Sequence, residues 1–97
     1  MTAVDEIRES LKPPVDQIME HLEITGQVDA LGFFRQVRNG LDQVKEEDDL
    51  LELFMMLSMM AFQGFQMDPL ATMMADRILA YAEQTAHTFS ASDENTH

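Results

Sequence analysis

Apolar residues recur at intervals of three and four along nearly the whole chain, which is the spacing of amphipathic α-helices. No segment alternates apolar and polar residues as a half-buried strand does. Leu, Met, Ala, Glu and Gln outnumber Val, Ile and Thr. The pattern predicts an all-α fold, a single small domain of four to five helices in a bundle-like or orthogonal array.

The N-terminal part predicts two helices separated by prolines. Apolar spacing predicts a first helix over 2–11. Lys12-Pro13-Pro14 is expected to break or kink it, because Pro13 disfavours α geometry at Lys12 and neither proline has an N–H. A second helix is predicted over 14–24, and Gly26 stands where a left-handed C-terminal cap is needed.

A third helix is predicted from residue 27 to Asn39 or slightly beyond. The Asn39-Gly40 pair is a turn signal, so an irregular acidic connection should follow. Leu41 and Val44 nevertheless continue the helical spacing, and a kinked continuation to about Lys45 is the alternative.

The fourth predicted helix, residues 50–63, is apolar nearly all round, with only Glu52, Ser58 and Gln63 polar. The acidic run 46–49 precedes it, where the helix dipole is positive. Asp48 or Asp49 is expected to cap the first amides. Gly64 should end this helix.

The fifth predicted helix has a clear start, because Asp68 suits the N-cap position and Pro69 suits the first helical position. We expect it to reach about residue 88 and to form a C-terminal helical hairpin with the fourth helix. The helical domain would then cover 1–89, and the polar residues 90–97 would form a disordered tail.

Charge narrows the classes of partner. The 97 residues, enough for one domain, include 18 acidic and 6 basic residues, a net charge of −12. Such a surface repels phosphates, so direct binding to nucleic acid is not expected, and basic protein surfaces are favoured. The acidity could also serve solubility alone. Cysteine is absent and no signal peptide is visible, so we expect a cytoplasmic protein.

No set of residues predicts catalysis. Glu83 and His87 have the helical spacing of two metal ligands, but His21 would have to join them from another helix. No G-x-S-x-G motif or phosphate-binding glycine loop is present. We therefore expect no enzyme activity, no metal and no cofactor.

Methionine is the most unusual component, at nine residues. Met55 and Met59, and likewise Met56 and Met60, form pairs four residues apart on the fourth helix. This helix is either the core of the domain or an interface, since a chain this short covers an all-round apolar helix with difficulty. Its 14 residues are fewer than the ~20 that span a membrane. The predicted partner-binding residues are Phe54, Met55, Met56, Met59, Met60, Phe62 and Phe65.

These observations predict a non-enzymatic interaction module, such as a small accessory, adaptor or regulatory subunit. It would bind a protein partner, a second copy of itself, or both. The alternative is an acidic inhibitor that imitates nucleic acid, as phage anti-restriction and anti-CRISPR proteins do. Against the alternative, residues 53–92 carry only Asp68, Asp76 and Glu83 as acids, whereas a mimic needs carboxylates spread over one face.

Overall fold

The computed structural model describes the backbone of residues 3–59 and 64–95, and the side chains of 3–59 and 64–87. Within these ranges every regular element is an α-helix, which confirms the all-α fold. The helices are α1 (Ala3–Thr25), α2 (Val28–Gln43), α3 (Glu47–Ser58) and α4 (Pro69–Asn95).

The helices enclose one core. The α1 helix packs against α2 and α4, and α3 packs against the same two helices. Each helix contributes one buried stripe at helical spacing, as the sequence pattern requires. The fully buried large side chains are Leu11, Val15, Ile18, Leu22, Phe34, Val37, Leu41, Val44, Leu50, Leu57 and Ile78.

Of the break or kink predicted at the prolines, the break is wrong, because α1 continues through Pro13 and Pro14. Without their N–H groups, these residues leave two carbonyls of the preceding turn without helical partners. Those carbonyls belong to Glu9 and Ser10, both on the exposed side of α1, where water can solvate them. The opposite side buries Leu11 and other core residues, and this packing holds the helix together across the prolines.

The predicted cap at the end of α1 is confirmed. Gly26 has φ +73°, a conformation that glycine adopts without strain. Its N–H donates to the Glu23 carbonyl, and the Gln27 N–H donates to the Leu22 carbonyl at 2.9 Å. This is the hydrogen-bond pattern of a Schellman motif.

The α2 helix is longer than the preferred prediction and closer to the alternative, since it continues through Asn39-Gly40 to Gln43. A Cβ built on Gly40 would lie 3.0 Å from Leu53 Cδ1 on α3. Gly40 is therefore a helical residue at which two helices approach closely, and Leu41 beside it is fully buried. Tertiary packing overrides the local turn signal.

Hydrogen bonds fix the starts of α3 and α4. The Asp49 carboxylate accepts from the backbone N–H groups of Lys45 and Glu46, each at 3.2 Å. Asp68 accepts from the Ala71 N–H at 2.8 Å, which confirms it as the N-cap of α4. The bond costs little to form because Pro69 already has helical φ.

At the C-terminus α4 runs to Asn95, past the predicted end near residue 88. Residues 90–95, expected to belong to a disordered tail, are therefore helical. The segment contains neither proline nor glycine, so nothing in it stops a helix that has already begun.

Candidate docking groove

The α2 and α3 helices lie antiparallel, with a cleft between them. The N-terminal half of α2 shares one depression with Met56 and Met59 near the end of α3. The C-terminal half of α2 shares another with Asp49 and Glu52 near the start of α3. The cleft is open at the first of these ends and nearly closed at the second, where Gly40 meets Leu53.

The open end forms a groove of about 490 Å³, which we call the α2–α3 groove. Its rim is exposed to solvent, since Val28 is 71% and Met59 55% exposed. Its deeper side chains are half-buried and pack against the core. The lining residues are Val28, Asp29, Gly32, Phe33, Gln36, Met56, Met59 and Phe65.

Two phenylalanines connect the groove to the core. The Phe33 ring meets the buried Phe34 ring edge-on, with centroids 5.3 Å apart. On its other side Phe33 contacts Phe65, at 5.4 Å between centroids. Aromatic pairs in this geometry attract one another beyond the burial of area alone. The apolar wall of the groove is thus held in place by the core.

Gly32 gives the groove its space. A glycine inside a helix costs about 1 kcal/mol relative to alanine. The backbone does not require glycine here, because positive φ occurs only at Gly26 and Gly64 among the described glycines. A Cβ on Gly32 would meet no atom of the described residues within 4 Å. Among the described residues the missing side chain therefore serves no packing, and it leaves the α2 backbone open toward the groove.

Carboxylates lie at both ends of the cleft. Asp29 lines the open end, while Asp49 and Glu52 line the depression of about 180 Å³ at the other end. Met56 lines both, so the two depressions adjoin. Asp29 and Glu52 form no ion pair with the cations of the described residues. Their charge remains directed toward solvent.

A polar cluster beside the open end ties three parts of the chain together. His21 Nε2 lies 2.8 Å from Asp68 Oδ2. Gln27 donates to the Asp68 carboxylate and accepts from the Asp68 backbone N–H at 2.9 Å. The Ala71 N–H, with help from His21 and Gln27, lowers the pKa of Asp68. This cluster fixes the Gln27 turn, from which α2 and the groove begin.

The residues predicted for partner binding separate into groups. Met56, Met59 and Phe65 line the α2–α3 groove. Met55 is 69% exposed on the outer side of α3. The prediction is wrong for Phe54, which is only 4% exposed and belongs to the core. Met60 and Phe62 lie outside the described residues.

Sequence reasoning missed the α2 wall of the groove, above all Gly32 and Phe33. Phe33 lies one position before the core residue Phe34, so it fits the core spacing of α2 only approximately. This offset was the signal in the sequence that Phe33 lies at the edge of the core. A glycine inside a predicted helix was a second signal. Neither one indicated which helix would face it.

The residues considered as metal ligands from the sequence do not come together in the structure. Glu83 and His87 are both exposed on α4, whereas His21 bonds to Asp68. Among the side chains of residues 3–59 and 64–87, no three His, Asp or Glu are grouped as metal ligands are. None of the described helices combines the length and the apolar character needed to cross a bilayer.

No protein-family model, curated protein or solved structure matches this chain.

Proposed function

We propose that this protein is a non-enzymatic interaction module that binds a cationic amphipathic helix of a partner protein in the α2–α3 groove. The observation that carries the proposal is the open groove beside Gly32, in which Phe33, Met56 and Phe65 form an apolar wall. The role of an accessory, adaptor or regulatory subunit in the cytoplasm, expected from the sequence, is part of the same proposal.

The shape of the cleft favours a helix as the ligand. The groove follows α2 from Val28 to Gln36, which corresponds to roughly 13 Å of helix axis, or about two and a half turns. Helix-in-groove recognition places apolar anchors at helical spacing into such a surface. Met56 and Met59 suit this role because methionine side chains adapt to irregular shapes. Gly32 lets the partner's backbone approach α2 closely.

Charge favours a cationic ligand. The protein carries a net charge of −12, and Asp29 and Glu52 flank the cleft without ion-pair partners among the described residues. Lys or Arg side chains on the outer side of a bound helix would meet these carboxylates. The field of the whole protein would also accelerate association. A second copy bound in this groove would bring another −12 to an acidic rim, so it fits less well.

Imitation of nucleic acid has weaker support. A mimic presents free carboxylates at phosphate-like intervals. Here Asp16 and Asp42 bind Arg38, at 2.8 and 2.6 Å. Glu9 binds Lys12 at 2.7 Å, and Lys12 lowers the pKa of Glu9. Such internal pairs remove carboxylates from the set that an opposing cationic surface could bind.

A pair of designed peptides tests the proposal. Each is an amphipathic helix as long as α2 with the same Leu and Phe face; one carries Lys and the other Glu on its polar face. We expect fluorescence anisotropy to show saturable binding of the Lys peptide only. Gly32→Gln should weaken that binding at least tenfold, or about 1.4 kcal/mol, because its side chain enters the groove.

The matched control is Ser10→Gln, which adds the same side chain at an exposed position of α1. It should leave the affinity unchanged. Equal binding of the Lys peptide by wild type and Gly32→Gln would contradict the groove as the site. Binding of the Glu peptide as tightly as the Lys peptide would contradict the charge argument. Apolar contacts in the groove would then be the basis of binding.

A further inference from the structure

The outer face of α4 is a second apolar surface, separate from the groove. The inner face of α4 buries Ala71, Ala75, Ile78 and Ala82. On the outer face Leu70 is 48%, Met73 45% and Tyr81 37% exposed. A shallow depression of about 650 Å³ lies along it, lined by Met67, Pro69, Thr72, Met73, Asp76, Arg77 and Ala80. It shares no residue with the α2–α3 groove.

Opposite charges occupy the middle of this apolar face. Asp76 and Arg77 are adjacent and exposed, and Arg77 is the only basic residue after Lys45. The positions three and four residues away from Arg77 are Met and Ala or Tyr, so α4 offers it no carboxylate at helical spacing. Neither charge forms an ion pair with another described residue.

We propose that this face binds the same face of a second copy, with the two α4 helices antiparallel about a two-fold axis between Asp76 and Arg77. A two-fold interface is self-complementary, so each contact occurs twice. Asp76 of each copy would pair with Arg77 of the other. Met73 and Ala80, which both line this face, are equally distant from the axis, so each would face the other across it.

The charge of this face favours a second copy of the protein as its partner. Asp68, Asp76 and Glu83 are the only acids within 53–87, against Arg77, so this is the least acidic part of a strongly acidic protein. Two copies therefore meet where their mutual repulsion is weakest. A cationic partner would bind more favourably to the remaining, more acidic surface of the protein. A highly acidic partner would find only one arginine on this face. A second copy supplies both an acid and a base at matching positions.

Charge reversal tests the pairing directly. Wild type should elute at twice the chain mass in sizing with light scattering. Arg77→Glu gives a chain with two adjacent acids on this face, and Asp76→Lys gives one with two adjacent bases. Each variant alone should be monomeric at concentrations where wild type is dimeric. An equimolar mixture should form a heterodimer, identified by native mass spectrometry.

The side chains exchanged are exposed, so circular dichroism should show unchanged helicity in both variants. Met73→Glu gives an independent disruption of the same face. A monomeric wild type, or variants that remain dimeric, would overturn the proposal. A mixture that stays monomeric would overturn the reciprocal Asp76–Arg77 pairing. Gly32→Gln should remain dimeric, so failure of the groove proposal and failure of this one are distinguishable.

Discussion

The two ends of the α2–α3 cleft are built from the same helices, and each has a glycine of α2 at its centre. At the closed end Gly40 lies against Leu53, where a Cβ would come within 3.0 Å of Cδ1. At the open end no described residue comes within 4 Å of the same position on Gly32. The first glycine permits a contact inside the protein. The second borders a space that the side chains of 3–59 and 64–87 leave unfilled.

This difference separates packing from recognition. A glycine that lets two helices approach recovers part of its helix-propensity cost through the contact. Gly32 makes no such helix–helix contact with the described residues, so nothing among them offsets its cost. At the open end, Gly32 therefore leaves α2 less stable than another residue at this position would make it. Surfaces adapted to bind a partner commonly have such a stability cost.

The largest expected effect compares the inner and outer sides of α3. Phe54→Ala should lower the free energy of unfolding by about 3–4 kcal/mol, because it removes a buried ring from the core. Met59→Ala, on the exposed rim of the groove, should change it by less than about 0.5 kcal/mol. Urea denaturation followed by circular dichroism measures both. Equal losses would show that the open rim is packed after all.

The next effect compares the two glycines. Gly40→Leu should destabilise the protein by about 1–3 kcal/mol, because its side chain must displace Leu53 in a packed contact. Gly32→Leu should instead stabilise it by about 0.5–1 kcal/mol through helix propensity alone. The same denaturation experiment compares them. A destabilised Gly32→Leu would mean that the open end is already filled.

A smaller effect concerns the capping of α3 at the closed end. Asp49→Ala removes the carboxylate that accepts from the Lys45 and Glu46 N–H groups and should cost about 1 kcal/mol. Asp48→Ala is the matched control, since the exposed Asp48 makes no such bond among the described contacts. It should cost clearly less. Denaturation midpoints that fall equally for both would assign the effect to charge near the helix dipole rather than to the cap.

The smallest effect is the pH dependence of the polar cluster at the open end. The Ala71 N–H, with His21 and Gln27, lowers the pKa of Asp68 in the folded protein. The charged carboxylate therefore contributes stability above its unfolded pKa of about 3.9, and this contribution is lost as pH falls through the lower folded pKa. Asp68→Asn keeps the cap but has no charge to titrate.

Thermal melts of wild type and Asp68→Asn check this expectation. Wild type should have the higher midpoint at neutral pH, and the gap should close in acid as Asp68 becomes protonated. A gap that persists at about pH 2 would show that hydrogen-bond geometry, rather than charge, accounts for the difference.

Much of the fold could be predicted from local sequence. The α4 start at Asp68-Pro69 and the Gly26 cap were predicted correctly, because caps depend on a few adjacent residues. The prolines of α1 and the Asn39-Gly40 pair misled the same reasoning. Their signals describe what an isolated chain prefers, while burial of Leu11 and Leu41 decides what the folded chain adopts.

The sequence by itself determined the helical class, the core spacing and the acidic surface, since periodicity and charge are properties of the chain. It also predicted Met56, Met59 and Phe65 as partner-binding residues, and these three line the groove. Only the tertiary structure decided that Phe54 faces inward while Met55 faces outward, and that Gly32 opens onto α3 whereas Gly40 closes against it. An all-round apolar helix has no preferred inner side, so the orientation of α3 depends on the helices packed around it.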